Sequence, residues 1–281
     1  MTARRKIADR LFGFLCLGAV GVAGLLLVVL LWSVFKDGFS RLNGSFFENF
    51  TSRLPAKAGI KAAIWGSLWV IATTAFIAVP LGVAAAVWLE EYNSRRNRLV
   101  DFIQLNISNL AGVPSIVYGL LGLAVFVRSM GMGRSILAAS CTMALLILPM
   151  VIIVSQEALK AVPRSYREAS FGLGATRWQT IRHQVLPNAL PGILTGIILA
   201  VSRVLGESAP LVVVGAVSYI AAVPKRLGDE FTVLPLQIFD WTSRPQSGFH
   251  DAAAAAIIVL LGILLVLNGA AIFLRARTRR T

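Results

Sequence analysis

Long apolar stretches alternate with shorter polar stretches along the whole chain. Each long stretch has about 20 residues or more, the length that an α-helix needs to cross the hydrocarbon core of a bilayer. Backbone polar groups in lipid must be hydrogen-bonded within their own segment, so such stretches are expected to be helical. The pattern predicts an all-α integral membrane protein with six transmembrane helices, at Leu11 to Phe35, Ala62 to Leu89, Leu105 to Val127, Ile136 to Ser155, Leu190 to Ile220, and Ala252 to Leu274.

Composition and charge agree with a membrane protein. Of the 281 residues, 57% are hydrophobic, and the mean hydropathy is +0.75, which is far above that of a soluble domain. The net charge of +14 could suggest nucleic acid, but its distribution follows membrane topology. With the N-terminus inside, most of the lysines and arginines fall in cytoplasmic segments. We therefore expect both termini to be cytoplasmic, and we expect no nucleic-acid partner.

The first apolar stretch follows a basic start, as in a secretory signal peptide. It continues for about 25 residues without a small-x-small cleavage site before Trp32, which is longer than the apolar region of a signal peptide. We therefore expect a retained first helix. The predicted division of the chain is an N-terminal helix with an external loop at 1–61, and a transmembrane core at 62–281 that contains a cytoplasmic loop at 156–189.

The polar segment from Ser165 to Pro187 contains two signals for the start of a helix. Ser165 with Glu168 and Thr176 with Gln179 each have the spacing of a capping box. In this motif the first side chain caps the helix, and the second accepts a hydrogen bond from the backbone amide of the first residue. A helix is therefore predicted to begin at each pair. Pro187 is expected to block continuation of the second helix, because proline lacks an amide hydrogen.

Apolar side chains recur at helical spacing on both sides of Gly174. Glycine adopts the positive φ that commonly ends a helix, so a hinge is expected at this position. The segment predicts two short amphipathic helices, with one face formed by Tyr166, Ala169, Ser170 and Leu173 and the other by Trp178, Ile181 and Val185.

The same segment resembles the EAA motif of ABC importer permeases, which reads E-A-A, three residues, G, nine residues, I, one residue, L-P. The matching residues are Glu168, Ala169, Gly174, Leu186 and Pro187, whereas Ser170 replaces the second alanine and Gln184 replaces the isoleucine. In that family the loop forms a coupling helix that sits in a cleft of the cytoplasmic ATPase, so the resemblance implies ATPase coupling here. The alternative is an ordinary cytoplasmic hairpin in which Glu168 only caps a helix and Gly174 only allows the chain to turn.

The third predicted span carries polar groups at membrane depth. Pro114 breaks its helical hydrogen-bond ladder, and small residues at helical spacing, namely Gly112, Gly119 and Gly122, favour close helix packing. Ser115 and Tyr118 fit lining of a translocation path and plain packing equally well. The run G-V-P-S-I-V-Y-G resembles a segment of phosphate-specific permeases, and that resemblance favours the translocation path.

The fifth predicted span contains the charged residues Arg203 and Glu207. A charge at the centre of a bilayer costs several kcal/mol, so an intramembrane pair four residues apart is expected to share a helix face and to contact protein or water. One interpretation is an ion pair that only fixes helix packing. The other places Arg203 on the path of an anion, with Glu207 neutralising it in the resting state. The run R-x-x-G-E-S-A-P resembles the matching segment of A-type permease subunits of phosphate-specific (Pst) importers, in which this arginine is implicated in transport.

The remaining polar residues predict no further site. No P-loop sequence occurs, so we expect no enzymatic activity of the chain itself, and ATP hydrolysis would need a partner. No metal or cofactor is expected, since the cysteines and histidines are isolated: Cys16, Cys141, His183 and His250. The charged turn after the second span is expected to be a solvated loop; it contains Glu90, Glu91, Arg95, Arg96, Arg98 and Asp101.

The resemblance covers most of the chain beyond Lys61 and implies a permease subunit of a phosphate importer in the bacterial inner membrane. It implies as partners a second homologous permease subunit in a heterodimer, a cytoplasmic ABC ATPase dimer and an extracytoplasmic phosphate-binding protein, besides membrane lipid. The alternatives are a permease for molybdate or sulfate, an ATP-independent anion carrier or channel, and a structural or signalling membrane subunit.

Overall fold

The computed structural model describes residues 3–93, 97–216 and 219–278. Four arginines that contribute to the predicted cytoplasmic charge, Arg95, Arg96, Arg279 and Arg280, lie outside the described residues.

The described residues form twelve α-helices and no strand. In chain order the helices are α1 Ala3–Gly38, α2 Gly44–Glu48, α3 Lys61–Val87, α4 Arg98–Ala111, α5 Ser115–Gly122, α6 Ile136–Lys160, α7 Arg164–Gly172, α8 Arg177–Thr180, α9 Leu186–Leu205, α10 Ala209–Val214, α11 Leu234–Thr242 and α12 Ser247–Thr278. Three π-helical segments extend them, with Trp88–Tyr92 following α3, Leu123–Ser129 following α5, and Ile181–Val185 joining α8 to α9. The predicted all-α architecture is confirmed.

Five helical segments in the described chain are long and apolar enough to cross a membrane, and one bent helix pair supplies a sixth candidate. The five are Leu11–Arg41, Lys61–Tyr92, Ile136–Lys160, Arg177–Leu205 and Ser247–Ala270. The bent pair joins Arg98–Ala111 to Ser115–Ser129 at an angle of 101°. The six predicted spans therefore all correspond to helical segments, although two of them differ in shape from the prediction.

The third span is bent rather than continuous from Leu105 to Val127. Its break lies at Pro114, whose ψ of 136° is extended, and α5 begins at the next residue. Proline has no amide hydrogen and disfavours helical geometry in the residue before it. The break in the helical ladder at Pro114 is thus confirmed, but its result is a sharp turn of the chain.

The fifth span is shorter than the predicted Leu190 to Ile220. Helix α9 ends at Leu205, with Gly206 as its C-cap, and α10 begins only at Ala209. Pro210 lies in the first turn of α10, where its missing amide hydrogen costs nothing. Three residues, Gly206, Glu207 and Ser208, therefore stand outside any helix between α9 and α10.

Helix α6 lies at the centre of the bundle. In its most apolar part 67% of the residues are buried, against 33% in α3 and none in α1. Helices α3 and α9 pack on α6, α12 packs on α9, and α1 lies against α12. A Cβ atom at Gly38 would come within 2.6 Å of the Ala254 backbone, so the absence of a side chain there allows α1 and α12 to cross closely.

Gly122 allows α5 to approach α6. A Cβ atom at Gly122 would collide with the side chain of Thr142, which is fully buried and donates its hydroxyl hydrogen to the Ala138 carbonyl. Gly119 likewise allows α5 to approach α10, since a Cβ atom added at Gly119 would come within 2.8 Å of the Pro210 Cα. Close packing at both glycines is confirmed, whereas Gly112 faces only its own helix.

We expect Gly122→Ala to lower the thermal stability of the purified protein in detergent. Overpacking against the fixed Thr142 side chain should cost about 1–3 kcal/mol. The midpoint of thermal unfolding measures the effect. Gly112→Ala is the matched control, because the only atom near its added Cβ is the Asn109 oxygen at 3.5 Å. Equal midpoints for the two variants would contradict the close approach.

Candidate functional site

The break between α4 and α5 lies against the break between α9 and α10. The Ser115 hydroxyl, on the first residue of α5, donates a 2.8 Å hydrogen bond to the Glu207 carboxylate. Beside this contact is a cavity of about 200 Å³. It is lined by Arg203, Ser115 and Tyr118, together with the apolar residues Leu110, Ala111, Val113, Leu146, Ile147, Met150 and Ile153. Three of the four residues predicted for the translocation path thus border one cavity, and the fourth is bonded to its wall.

The predicted ion pair between Arg203 and Glu207 is wrong. Helix α9 ends at Leu205, so the spacing of four residues no longer places both side chains on one helix face. The Glu207 carboxylate is bonded to Ser115 instead. Among the described residues, the Arg203 guanidinium makes neither a hydrogen bond nor an ion pair, and the residue is exposed. The cavity therefore has a cationic wall whose guanidinium has no carboxylate within ion-pairing distance among the described residues.

The two hydroxyl groups at the cavity already donate their hydrogens within the protein. Ser115 donates to Glu207, and Tyr118 donates to the Leu110 carbonyl over 2.8 Å. A hydroxyl group has one hydrogen to donate, so neither has a donor left for a ligand in this arrangement. The free donors at the cavity are those of Arg203. This composition, an apolar wall with one unpaired cation, suits a weakly held anion.

The polar loop after α6 forms two helices joined at Gly174, as predicted. Gly174 has a φ of 82°, in the region that favours glycine. The capping box at Thr176 is confirmed, since the Gln179 amide donates to the Thr176 hydroxyl at 3.3 Å and the Thr176 amide donates to the Gln179 side chain at 2.8 Å. The predicted box at Ser165 is wrong. Helix α7 begins one residue earlier, after the extended Pro163, so Ser165 lies within its first turn.

Pro187 does not end the second helix, contrary to the sequence prediction. Helical structure continues without interruption from Arg177 to Leu205. The π-helical turn Ile181–Val185 ends two residues before this proline. A proline ring crowds the carbonyl of the preceding turn, and the wider π turn accommodates it. Of the two last motif residues, Leu186 is half-buried and Pro187 is exposed.

The outer face of the loop presents exposed apolar groups. Glu168, Ala169 and Gly174 are exposed, and 90% of Leu173 is accessible. A hollow of about 330 Å³ lies between the two arms and is lined by Tyr166, Ala169, Ser170, Leu173, Ala175, Gln179, His183 and Gln184. In the second arm Ile181 and Val185 are buried, whereas Trp178 remains exposed. Exposed apolar patches with polar rims are typical of protein interfaces.

Ser170, which departs from the motif, connects the two arms of the loop. Its hydroxyl lies 2.9 Å from the hydroxyl of Thr180, and Thr180 is buried. An alanine at position 170 would leave the buried Thr180 hydroxyl without this partner. The departure from the motif therefore has a local structural function across the Gly174 turn.

Sequence reasoning missed the role of Glu91. We expected a solvated loop after α3, but only 9% of Glu91 is accessible, and its carboxylate pairs with Arg167 of α7 at 2.6 Å. The partner is 76 residues away, so no local pattern identifies it. Together with Glu168 and Lys160, the pair borders a hollow of about 640 Å³ beside the loop. In the described part of the chain, no cluster of His, Cys, Asp and Glu could hold a metal ion.

Comparison with known families decides the class of the protein. The family model described as binding-protein-dependent transport system inner membrane component matches residues 78–280. The chain belongs to this family. Members are multi-pass permeases of ABC importers in the inner membrane. This membrane location accounts for the high mean hydropathy of the chain and for its bundle of apolar helices. The matched part includes both helix breaks at the cavity and the whole polar loop.

Relatives named as ABC or phosphate transport permeases cover between 74% and 100% of this permease. The phosphate transport system permease protein PstA 1 of Mycobacterium tuberculosis is 34% identical over 285 residues, covering 100% of this chain and 93% of the relative. The PstA protein of Yersinia pestis is 32% identical over 85% of this chain and 81% of the relative. The probable ABC transporter permease protein YqgI of Bacillus subtilis is 35% identical over 74% of this chain and 70% of the relative.

Solved structures show the same fold at low sequence identity. A chain of the inward-facing methionine ABC transporter MetNI superposes with a TM-score of 0.63 at 18% identity, covering 78% of this permease and 97% of that chain. A chain of a bacterial ABC transporter involved in the import of alginate superposes with a TM-score of 0.64 at 15% identity. The match covers 97% of this permease and 98% of that chain. The fold of ABC importer permeases is therefore confirmed, with five candidate spans and a sixth formed by the bent helix pair in the described residues.

Proposed function

We propose that this permease is a subunit of an ATP-driven importer of inorganic phosphate and forms half of its translocation pore. The observation that carries the proposal is the Arg203 guanidinium, which borders a cavity and forms no ion pair with any described residue. An unpaired cation in a bundle of apolar helices is favourable only if water or an anion meets it. Relatives named as phosphate transport permeases make phosphate the best-supported anion.

Ser115 and Glu207 would control how strongly the anion is held. In the arrangement described above, the Glu207 carboxylate accepts the only hydrogen that the Ser115 hydroxyl can donate. An anion at Arg203 would compete with Glu207 for this hydrogen, and the carboxylate would repel the anion. Binding at the cavity would thus remain weak, which suits transport because the substrate must also leave. Glu207 takes the role of a competitor for Ser115 rather than of a partner for Arg203.

The loop between α6 and α9 would couple the pore to ATP hydrolysis. Its exposed face, with Glu168, Ala169 and Gly174, would dock in a cleft of a cytoplasmic ABC ATPase dimer. Closure of the ATPase would then move the helices between two arrangements that open the cavity to opposite sides. A second homologous permease would complete the pore as a heterodimer, and an extracytoplasmic binding protein would deliver phosphate. Both termini would lie in the cytoplasm.

We expect the reconstituted complex in proteoliposomes to take up phosphate only when ATP is supplied inside and the binding protein outside. Unlabelled phosphate should compete with labelled phosphate more strongly than molybdate or sulfate does, because a phosphate path is shaped for that charge and size. Stronger competition by molybdate or sulfate would instead identify another oxyanion permease. Anion flux through the purified chain alone, without ATP, would identify a carrier or channel and would contradict the proposal.

A further inference from the structure

A single arginine attaches the polar loop to the ends of two core helices. Arg167 Nη2 lies 2.6 Å from Glu91 Oε1, and its Nε lies 3.2 Å from both oxygens of that carboxylate. The same guanidinium donates to the carbonyls of Leu159 at 3.0 Å and Val162 at 2.8 Å. Glu91 is the second-to-last residue of the π-helical extension of α3, and Leu159 lies in the last turn of α6. Helices α3, α6 and α7 therefore meet at one side chain.

The geometry of this contact requires arginine. The planar guanidinium offers several donors in fixed directions, and here they reach one carboxylate and two carbonyls at once. The last carbonyls of a helix lack intrahelical partners and attract a cation. The Arg167 side chain is 19% exposed and that of Glu91 is 9% exposed, so removal of one partner alone would leave a largely buried charge.

The second arm of the loop holds the same end of α3. Arg177, the first residue of α8, donates to the Tyr92 carbonyl at 3.2 Å, and its guanidinium lies 5.7 Å from the centre of the Tyr92 ring. Glu91 and Tyr92 are adjacent, so both helices of the loop are fixed to one short segment. The loop therefore cannot shift without moving α3 or breaking these contacts.

The attached helices lead to the cavity. Helix α6 packs against α3 along its length and supplies Leu146, Ile147, Met150 and Ile153 to the cavity wall. A displacement of α7 would thus reach the wall that faces Arg203 through α6, which is joined to α7 by residues 161–163 and by the Arg167 contacts, and separately through α8 and α9. We propose that Arg167 and Glu91 form the link that transmits ATPase motion from α7 to α3 and α6. This inference rests on the proposed coupling of the loop to an ATPase, and it assigns Arg167 a positioning role.

The test compares phosphate uptake per ATP hydrolysed in proteoliposomes of the complete complex. Arg167→Met combined with Glu91→Leu removes both charges, so no unpaired buried charge remains to prevent folding. We expect the ATPase to co-purify normally and the ratio of uptake to hydrolysis to fall at least about fivefold, the lower range of allosteric coupling. Arg167→Lys alone should give a ratio of uptake to hydrolysis between those of the double variant and the unmodified complex, because an ammonium group cannot reach all three acceptors.

Arg164→Gln is the matched control, since Arg164 is an exposed arginine of the same helix that borders the same hollow. Its ratio should equal that of the unmodified complex. If the double variant assembles and keeps the unmodified ratio, or if it only lowers the yield of complex, the pair is a structural contact and the inference is wrong. Absence of ATP-dependent phosphate uptake by the unmodified complex would instead contradict the proposed function.

Discussion

Arg203→Gln is expected to lower ATP-dependent phosphate uptake by the assembled complex about 10- to 100-fold. The substitution removes the unpaired cation of the cavity, and a hydrogen bond to a charged group contributes about 1.5–3 kcal/mol. Each 1.4 kcal/mol corresponds to a tenfold change, which sets the expected range. Uptake of labelled phosphate into proteoliposomes, normalised to the amount of complex, measures the effect.

Two further variants separate charge from position at this site. Arg203→Lys keeps the charge but loses the planar fork, so intermediate uptake is expected. Arg128→Gln removes another exposed arginine, one that does not border the cavity, and it should leave uptake unchanged. Normal uptake by Arg203→Gln would assign this residue to packing and would remove the main support for an anion path at the cavity.

Gly174→Pro is expected to abolish co-purification of the ATPase while the permease still inserts into the membrane. Proline fixes φ near −65°, whereas Gly174 has a φ of 82°, and its amide donates to the Phe171 carbonyl at 2.9 Å. Backbone strain and the lost hydrogen bond together cost about 2–4 kcal/mol. The loop would relieve this cost by rearranging, and the exposed face around Leu173 would no longer match its partner.

The controls for this variant use the space around the turn. A Cβ atom at position 174 would meet no atom within 4 Å, so Gly174→Asn tests the backbone conformation alone. Because asparagine tolerates positive φ, this variant should retain much of the co-purification with the ATPase. Gly172→Ala, two residues earlier and equally open, should behave as the unmodified protein. Normal co-purification with Gly174→Pro would refute docking of the ATPase at this loop.

The ends of the core helices show where prediction from sequence stopped. A strong apolar pattern predicted a fifth span to Ile220, but α9 ends at Leu205. Gly206 directly follows Leu205 in the sequence, and Pro210 follows four residues later. Hydropathy alone does not say whether such residues bend a helix or end it, because neighbouring helices determine which backbone groups find partners. The same limit explains why Pro187 was expected to stop a helix that continues.

The sequence by itself determined the membrane class, the helical segments, the Gly174 turn and the Thr176 capping box. Each depends on interactions within a few residues or on transfer of one segment into lipid, and both are recorded in local sequence. Only the tertiary structure decided that Glu207 bonds to Ser115, 92 residues away, and that Glu91 pairs with Arg167. A buried or half-buried charge takes whichever partner the fold brings within hydrogen-bonding distance, so spacing along the chain could not identify these contacts.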